Sequence, residues 1–327
     1  MLWAWTTTCS PASRVTKSCR SSTEPASPAA AAAGGGYAML TAAIISGLGL
    51  GSMYALLALG FHITYVVSRT VNFAQGSAMM IGAVLGYSLC VTAGLPWWLA
   101  AVLSLALCAL YGLAIELFLV RPFHSRGSEA WLMATVAGGI LVDNLVLFSF
   151  GKEPRQFDVA LLHQHLQVLG SNVQALQLLI PLAGAGIALA LYLVRRYTRL
   201  GKVLEACVQN PRAAQLMGIR VNRVVACAFA VSTVFAGIAG LLIAPLYNVH
   251  ADMGTLFGLK AFAVAILGGI ASANGVFLAG LLFGLAEALI TLQFGSAFTQ
   301  IFTFGLVIIA LALRPNGLFG KQTLVKV

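Results

Sequence analysis

Apolar residues in this chain are grouped in nine long runs that short polar stretches separate. The runs cover residues 40–66, 72–92, 96–120, 131–150, 174–194, 224–244, 257–271, 275–293 and 298–313. Most are about as long as the roughly 20 residues that a helix needs to cross hydrocarbon. They are rich in Gly, Ala and Leu without alternation, which favours helices over barrel strands. The pattern predicts an all-α, polytopic membrane helical bundle of about nine transmembrane segments, with eight to ten as the range if some are half-helices.

Composition agrees with this pattern. The 327 residues are 60% hydrophobic and 9% charged, with a mean hydropathy of +0.92, whereas soluble domains average about 25% charged residues. The formal net charge is +10. Because the cations lie in a few loops beside apolar runs, we interpret them as topology signals rather than as a nucleic-acid surface.

The 16 Arg and Lys residues that follow Met39 are distributed unevenly. Thirteen of them occur in four places, namely Arg69, the 121–130 loop, the 195–223 loop and the tail after Leu313. Cationic loops stay on the cytoplasmic side of a membrane. We therefore expect these four regions in the cytoplasm.

The total number of spans, odd or even, decides on which side of the membrane the C-terminal tail lies. It depends on the segment 261–290, which is either one tilted helix or two short spans with a break near residues 272–275. Two spans keep the cationic C-terminal tail in the cytoplasm. We therefore predict nine segments, with the N-terminus outside and the C-terminus cytoplasmic.

Residues 1–38 differ from the rest of the chain. They are rich in Ser, Thr, Pro and Ala and have no apolar core long enough for a secretory signal. We predict a disordered extension upstream of a true start at Met39; a targeting tail is the alternative. Residues 39–320 would form the transmembrane domain, and 321–327 a cytoplasmic tail.

The 195–223 loop is the most unusual polar stretch. It carries seven Arg or Lys residues and a single acid, Glu205. Asn210 suits the N-cap of a helix, Pro211 suits the first helical position, and Gly218 suits the left-handed residue past the end. A short capped helix in a water-facing loop indicates that another protein docks there.

Polar residues also interrupt the apolar runs, and such residues usually face a bundle interior because an ionisable group costs about 2.5–3.5 kcal/mol in a span. Two interpretations stay open. They line a translocation path, or they join helices through contacts such as an ion pair of Lys260 with Glu287. The candidates for the path are Asn72, Gln75, Asp143, Asn144, Lys260 and Glu287.

Three further patterns bear on the interior. Glu116 lies near the cytoplasmic end of its span, where Arg121 is a plausible partner. The run at 72–77, Asn-Phe-Ala-Gln-Gly-Ser, is either a break that lines the path or a capped turn. The small residues at 47–51 and 280–284 predict faces of close helix packing.

Enzyme motifs do not occur in the sequence. No Gly-x-x-x-x-Gly-Lys-Ser/Thr is present, so the chain has no P-loop with which to hydrolyse ATP. There is also no His-Glu-x-x-His and no grouping typical of a catalytic triad. We predict a chain that is not an enzyme and that holds no cofactor or metal.

Six stretches, taken in order, resemble the permease subunits of branched-chain amino acid ABC importers, and their spacing resembles the LivH half of the LivH/LivM pair. They are GLGLGSMYALLALGFHITY, VNFAQGSAMMIGA, LGKVLEACVQNPRAAQLMGIRVNRV, FAGIAGLLIAPLY, DMGTLFGLKAFAVAILGGIASANGVFLAGLLFGLAEAL and LRPNGLFG. The similarity extends from Met39 to Gly320. One departure is Gln75, where such proteins often carry His.

The resemblance implies a bacterial inner-membrane importer of several chains. A second permease completes the channel, cytoplasmic ATPase subunits bind the ATP, and a periplasmic binding protein delivers leucine, isoleucine or valine. It also implies that the segment 205–218 is the coupling segment that sits in a groove of an ATPase. Its residues are Glu205, Ala206, Asn210, Pro211, Ala213, Ala214 and Gly218.

Two alternatives stay open. One is a permease of the same family for another amino acid, urea or short amides, because the binding protein selects the cargo. The other is a self-powered secondary transporter or channel, which usually has internal repeats; the sequence shows no convincing repeat.

Overall fold

The chain folds into a bundle of α-helices. A computed structural model describes residues 28–124, 129–157, 165–168, 171–314 and 317–319. The helices are α1 (Pro28–Ser68), α2 (Gln75–Tyr87), α3 (Trp97–Ala114), α4 (Arg121–His124), α5 (Trp131–Phe150), α6 (Ala175–Tyr197), α7 (Arg199–Gln209), α8 (Pro211–Leu216), α9 (Val221–Ile243), α10 (Met253–Gly268), α11 (Ala273–Phe294) and α12 (Ser296–Leu313). Short π-helical segments continue α2 through Ser88–Thr92 and join α3 to α4 through Ile115–Val120.

Seven helices of the described part are long and apolar enough to cross a membrane, and α10 and α12 supply two shorter apolar helices. These nine helices correspond one to one with the nine apolar runs, so the predicted polytopic helical bundle is confirmed. Within the described residues, the one β-sheet is an antiparallel hairpin, β1 (His165–Val168) with β2 (Ser171–Gln174), before α6. The number of segments that cross the membrane and their orientation stay predictions.

The N-terminal boundary at Met39 does not coincide with a helix start. Helix α1 begins at Pro28, so its first turns precede Met39. Residues 1–27 and the tail 321–327 lie outside the described part of the chain. The extension, the start at Met39 and the cytoplasmic tail therefore stay predictions.

Helix α1 is the centre of the bundle and packs against α6, α9, α10 and α11. Every residue from Met53 to Leu59 is buried. A helix that is apolar and buried all round belongs in the middle of a bundle. The central position of α1 explains why its sequence carries no polar face over these two turns.

Helices α1 and α11 meet at glycines. A Cβ added to Gly280 would lie 2.6 Å from Cα of Ala55, and one added to Gly284 would overlap the backbone of Gly51. Backbones approach this closely only where side chains are absent. The small-residue faces predicted at 47–51 and 280–284 are confirmed, and they pack against each other.

Two helices, not one, occupy the segment 261–290. Helix α10 ends at Gly268, and α11 starts after Ser272, whose hydroxyl accepts a hydrogen bond from the Gly275 amide at 3.3 Å. The break covers residues 269–272, slightly earlier than expected. The chain after α12 packs against the end of α10, where the Leu318 amide donates to the Leu267 carbonyl at 2.7 Å.

Candidate functional site

The predicted short helix in the basic loop is present as α8. The Asn210 side-chain Oδ1 accepts a hydrogen bond from the Ala213 amide at 3.1 Å, and Pro211 occupies the first helical position. Asn210 has extended backbone angles and also ends α7, so α7 and α8 meet at this one residue. A side-chain oxygen here satisfies an amide that the first turn leaves free. The predicted N-cap is confirmed.

The other end of α8 is closed by Gly218, whose φ is +84°. The Gly218 amide donates to the Gln215 carbonyl, and the Ile219 amide donates to the Ala214 carbonyl, both at 3.0 Å. This pair of bonds is a Schellman motif, which needs a left-handed residue and therefore favours glycine. Both ends of α8 are fixed, so this six-residue helix is a rigid projection.

Most residues of the predicted coupling segment are exposed. Glu205, Asn210, Pro211, Ala213 and Gly218 are exposed, Ala206 is half-buried, and Ala214 is buried. Ala214 therefore seats α8 on its own protein, and its side chain does not reach a partner.

Two apolar side chains that the sequence argument did not single out, Leu216 and Met217, are 90% and 83% exposed. They end a short helix in a strongly basic loop. Large apolar side chains exposed at such a place suit contact with another protein. In the sequence, the only sign of these two residues is that an apolar pair, Leu216-Met217, lies next to Gly218 inside a basic loop.

Helix α7 ties this loop to the membrane helices. The Thr198 hydroxyl accepts a hydrogen bond from the Gly201 amide at 3.2 Å and so caps the start of α7 directly after α6. Cys207 is buried on the inner face of α7, and burial raises the pKa of its thiol. Cys207 is thus a packing residue that holds α7 against the bundle.

Lys260 and Glu287 form an ion pair between α10 and α11. Lys260 Nζ lies 2.5 Å from Glu287 Oε1, and the side chains are only 9% and 11% exposed. Each charge neutralises the other within the membrane interior, as the interhelical interpretation required. The second carboxylate oxygen, Oε2, has no hydrogen-bond partner among the described residues.

Gln75 and Asn72 are buried at the start of α2. Gln75 Nε2 donates to the Ser232 carbonyl of α9 at 2.9 Å, and the single Ser232 hydroxyl proton has two acceptors within reach, Gln75 Oε1 at 3.0 Å and the Gly60 carbonyl of α1 at 2.9 Å. Asn72 Oδ1 accepts from the Ala74 amide at 3.1 Å. The structure therefore uses Gln75 to join three helices and Asn72 to shape the turn that precedes α2.

Asp143 and Asn144 lie on α5 at the edge of the bundle. Asp143 is half-buried beside Ser77 of α2, and its Oδ1 has no hydrogen-bond partner within the described residues. Asn144 is exposed, and its side chain donates to the Ile140 carbonyl of its own helix at 2.8 Å. The six path candidates thus fall in three separate places, on α2, on α5 and between α10 and α11.

Two other buried polar groups have hydrogen-bond partners within the protein. Arg121 binds the Glu116 carboxylate with two hydrogen bonds of 2.8 and 3.0 Å, so the predicted partnership is confirmed. His62 Nδ1 lies 2.7 Å from the Ile270 carbonyl in the break between α10 and α11. Both contacts have a structural role.

A pocket of about 310 Å³ with mixed polar and apolar walls opens between the α5–α6 and α9–α10 connections, on the side predicted to face outward. Its walls are Lys152, Pro154, Tyr247, Asn248, His250, Met253 and Phe257. The two connections are joined by a backbone bridge in which Arg155 and Val249 exchange amide–carbonyl bonds of 3.0 and 2.9 Å. Burial, and secondarily the Glu287 carboxylate, raise the pKa of Tyr247. The Tyr247 ring lies 6.2 Å from Phe257, which also lines the pocket and is three residues from Lys260 on α10.

A bundle of apolar helices with charged residues in its interior, a pocket at one end and a capped, exposed helix at the other is typical of a membrane transport protein. The family described as "Branched-chain amino acid transport system / permease component" matches residues 28–311, and the chain belongs to this family. It is a multi-pass inner-membrane permease.

Individual relatives agree with this assignment. The chain is 30% identical over 297 residues to the high-affinity branched-chain amino acid transport system permease protein LivH of Escherichia coli K12, covering 87% of this chain and 96% of that protein. It is 30% identical over 297 residues to the corresponding BraD protein of Pseudomonas aeruginosa, covering 87% and 97%. It is also 29% identical over 136 residues to LivM of Escherichia coli K12, covering 40% and 32%.

Proposed function

We propose that this chain is the LivH-like permease subunit of an ATP-binding-cassette importer for leucine, isoleucine and valine. A periplasmic binding protein delivers the amino acid, a LivM-like second permease completes the path, and separate ATPase subunits supply the energy. The similarity to LivH and BraD over nearly their whole length supports branched-chain amino acids as the cargo. The partial similarity to LivM supports a related second permease as partner.

Helix α8 is the observation that carries the ATPase partnership. It is capped at both ends, projects from the bundle, and presents Leu216 and Met217 to water. Burying apolar surface contributes about 25 cal/mol per Å², so a groove that covers these two side chains would bind α8 firmly. The basic residues around α8 favour a partner surface with acidic groups.

The connection of α8 to the bundle supports a mechanical role. Helix α8 lies between α7, which follows α6, and α9, which packs against α1, α2 and α3. A displacement of α8 by a closing ATPase would therefore move α9 relative to the centre of the bundle. Rigid-body movements of this kind open a path first to one side of a membrane and then to the other.

Association with the ATPase tests the coupling assignment. Deleting residues 210–218, or changing both Leu216→Ser and Met217→Ser, should abolish co-purification of the ATPase while the permease still inserts into the membrane. Leu200→Ser is the matched control, because Leu200 is an exposed leucine of the same loop outside the coupling segment. An ATPase that still binds the deletion variant would refute the assignment.

Uptake of labelled amino acids into vesicles tests the transport assignment. The complete complex with its binding protein should accumulate leucine only when ATP is hydrolysed. Accumulation of another amino acid, urea or a short amide in place of leucine would show that the importer carries that cargo and not branched-chain amino acids. Transport by the permease without any ATPase would show that the chain is a self-powered transporter and not an importer subunit.

A further inference from the structure

Tyr54 lies beside the buried ion pair of α10 and α11. Its ring centroid is 5.9 Å from Lys260 Nζ, and its hydroxyl interacts electrostatically with the Glu287 carboxylate. Tyr54 is completely buried on α1. Three helices therefore bring one cation, one anion and one phenol together inside the bundle.

The hydrogen-bonding capacity of this group is only partly used. Lys260 Nζ donates to Glu287 Oε1, whereas the Tyr54 hydroxyl, although it lies close enough to the Glu287 carboxylate to interact with it, and Glu287 Oε2 have no partner with hydrogen-bond geometry among the described residues. Buried polar atoms normally have a hydrogen-bond partner, and each exception asks for an explanation. Here a donor and an acceptor that both lack a well-aligned partner lie beside a single ion pair.

We propose that Tyr54, Lys260 and Glu287 are the site at which the permease holds the charged ends of a zwitterionic amino acid during its passage. This inference rests on the proposed function, and it names the residues that contact the cargo. The cargo's carboxylate accepts hydrogen bonds from Lys260 Nζ and from the Tyr54 hydroxyl. Its ammonium group donates to Glu287, including the free Oε2.

The surroundings of the three groups fit the rest of an aliphatic amino acid. Tyr54 packs against Phe257 and Phe283, with ring centroids 6.0 and 5.5 Å apart. These rings provide apolar surface next to the charges, which a leucine or valine side chain requires. A ligand site of this kind combines an apolar wall with a few placed polar groups.

The outer pocket leads to this site. Phe257 and Tyr247 line the pocket, their rings are 6.2 Å apart, and Phe257 also contacts Tyr54. Lys260 lies about 10 Å along α10 from its pocket end, at a rise of about 1.5 Å per residue. The two aromatic rings therefore separate the pocket from the ion pair, and they must move apart for cargo to enter.

Charge balance explains how the pair accepts and then releases cargo. A zwitterion that separates Lys260 from Glu287 replaces one ion pair with two, so no charge is left unpaired in the interior. When the path opens inward, Lys260 and Glu287 pair again and displace the cargo. The same two residues thus bind the amino acid weakly enough to let it go.

Tyr54→Phe is the sharpest test, because it removes one hydroxyl that has no hydrogen bond in the described structure. In vesicles that contain the complete importer, we expect the KM for leucine uptake to rise about tenfold, since a hydrogen bond to a charged group is lost. Tyr111→Phe is the matched control: Tyr111 is another tyrosine of the bundle whose hydroxyl has no partner there, and its KM should stay within twofold. A purely structural Tyr54 would give an unchanged KM.

Exchange of the charges is the second test. Lys260→Met and Glu287→Gln should each abolish uptake, because either change leaves one charge buried alone. The double variant Lys260→Glu with Glu287→Lys restores an ion pair and should recover assembly with the ATPase, but uptake should stay at least 100-fold down. Recovered uptake in the double variant would show that the pair only joins helices.

The failure of this inference can be separated from failure of the proposed function. Leucine uptake by the natural importer with an unchanged KM in Tyr54→Phe overturns the site alone. Uptake of a different zwitterion with a raised KM in Tyr54→Phe supports the site and overturns the branched-chain cargo. Uptake of an uncharged cargo only overturns both.

Discussion

Gln75 and Ser232 hold α2 against α9 through a reciprocal pair of hydrogen bonds. Gln75 Nε2 donates to the Ser232 carbonyl at 2.9 Å, and Ser232 Oγ lies 3.0 Å from Gln75 Oε1. Both residues are fully buried. Because α9 follows α8 in the chain, this contact connects the exposed loop that carries α8 to the interior of the bundle.

Gln75→Leu should destabilise the permease by about 1–3 kcal/mol, since both buried hydrogen bonds between Gln75 and Ser232 are lost and only the Gly60 carbonyl remains as acceptor for the Ser232 hydroxyl. Thermal unfolding of the purified protein in detergent measures the change. The matched control is Asn144→Leu, the same kind of amide-to-leucine change at an exposed residue whose side chain bonds only its own helix. Equal stability of the two variants would contradict the role assigned to Gln75.

The glycine contact between α1 and α11 predicts that Gly284→Ala and a control change, Gly305→Ala, alter the stability in opposite directions. Gly284→Ala should lower the stability by at least 1–3 kcal/mol, because the new Cβ would overlap the backbone of Gly51. Gly305→Ala in α12 adds the same methyl group where nothing lies within 4 Å, and it should stabilise the helix by up to about 1 kcal/mol. Midpoint temperatures in one detergent compare the two, and a Gly284→Ala variant as stable as the natural chain would refute the contact.

The N-cap of α8 predicts a local change. Asn210→Ala should cost about 1 kcal/mol of α8 stability, which corresponds to about a fivefold loss of hydrogen-exchange protection at the Ala213 and Ala214 amides. Asn210→Ser keeps an oxygen that can accept from the Ala213 amide, so its protection should change little. Exchange rates measured by mass spectrometry on the intact protein report both, and identical rates in the two variants would show that the cap contributes nothing.

Local features of this protein could be predicted from its sequence. The cap at Asn210, the end at Gly218 and the break before α11 each depend on residues only a few positions apart. The ion pair of Lys260 with Glu287 was one of two interpretations, because charges within a membrane must find partners. The hydrophobic pattern likewise gave the nine apolar helices before any helix packing was known.

Features that depend on distant helices could not be predicted. The position of Tyr54 beside Lys260 is set by how α1 crosses α10, and no short pattern encodes that crossing. The burial of Ala214 beside an exposed Ala213 depends on which face of α8 rests on the bundle. The outer pocket likewise forms only when two connections nearly a hundred residues apart are joined at Arg155 and Val249.

The ion pair of Glu116 with Arg121 predicts a non-additive effect on stability. Glu116 is buried, whereas the Arg121 side chain is 38% exposed. Arg121→Met should therefore cost about 2 kcal/mol, because it leaves an unpaired carboxylate in the protein interior. Adding Glu116→Leu to that variant removes the stranded charge and should recover most of the loss, since an apolar pair of similar size can replace a buried ion pair. Unfolding of the single and double variants in detergent measures the coupling; a double variant less stable than Arg121→Met would show that the carboxylate has a further partner.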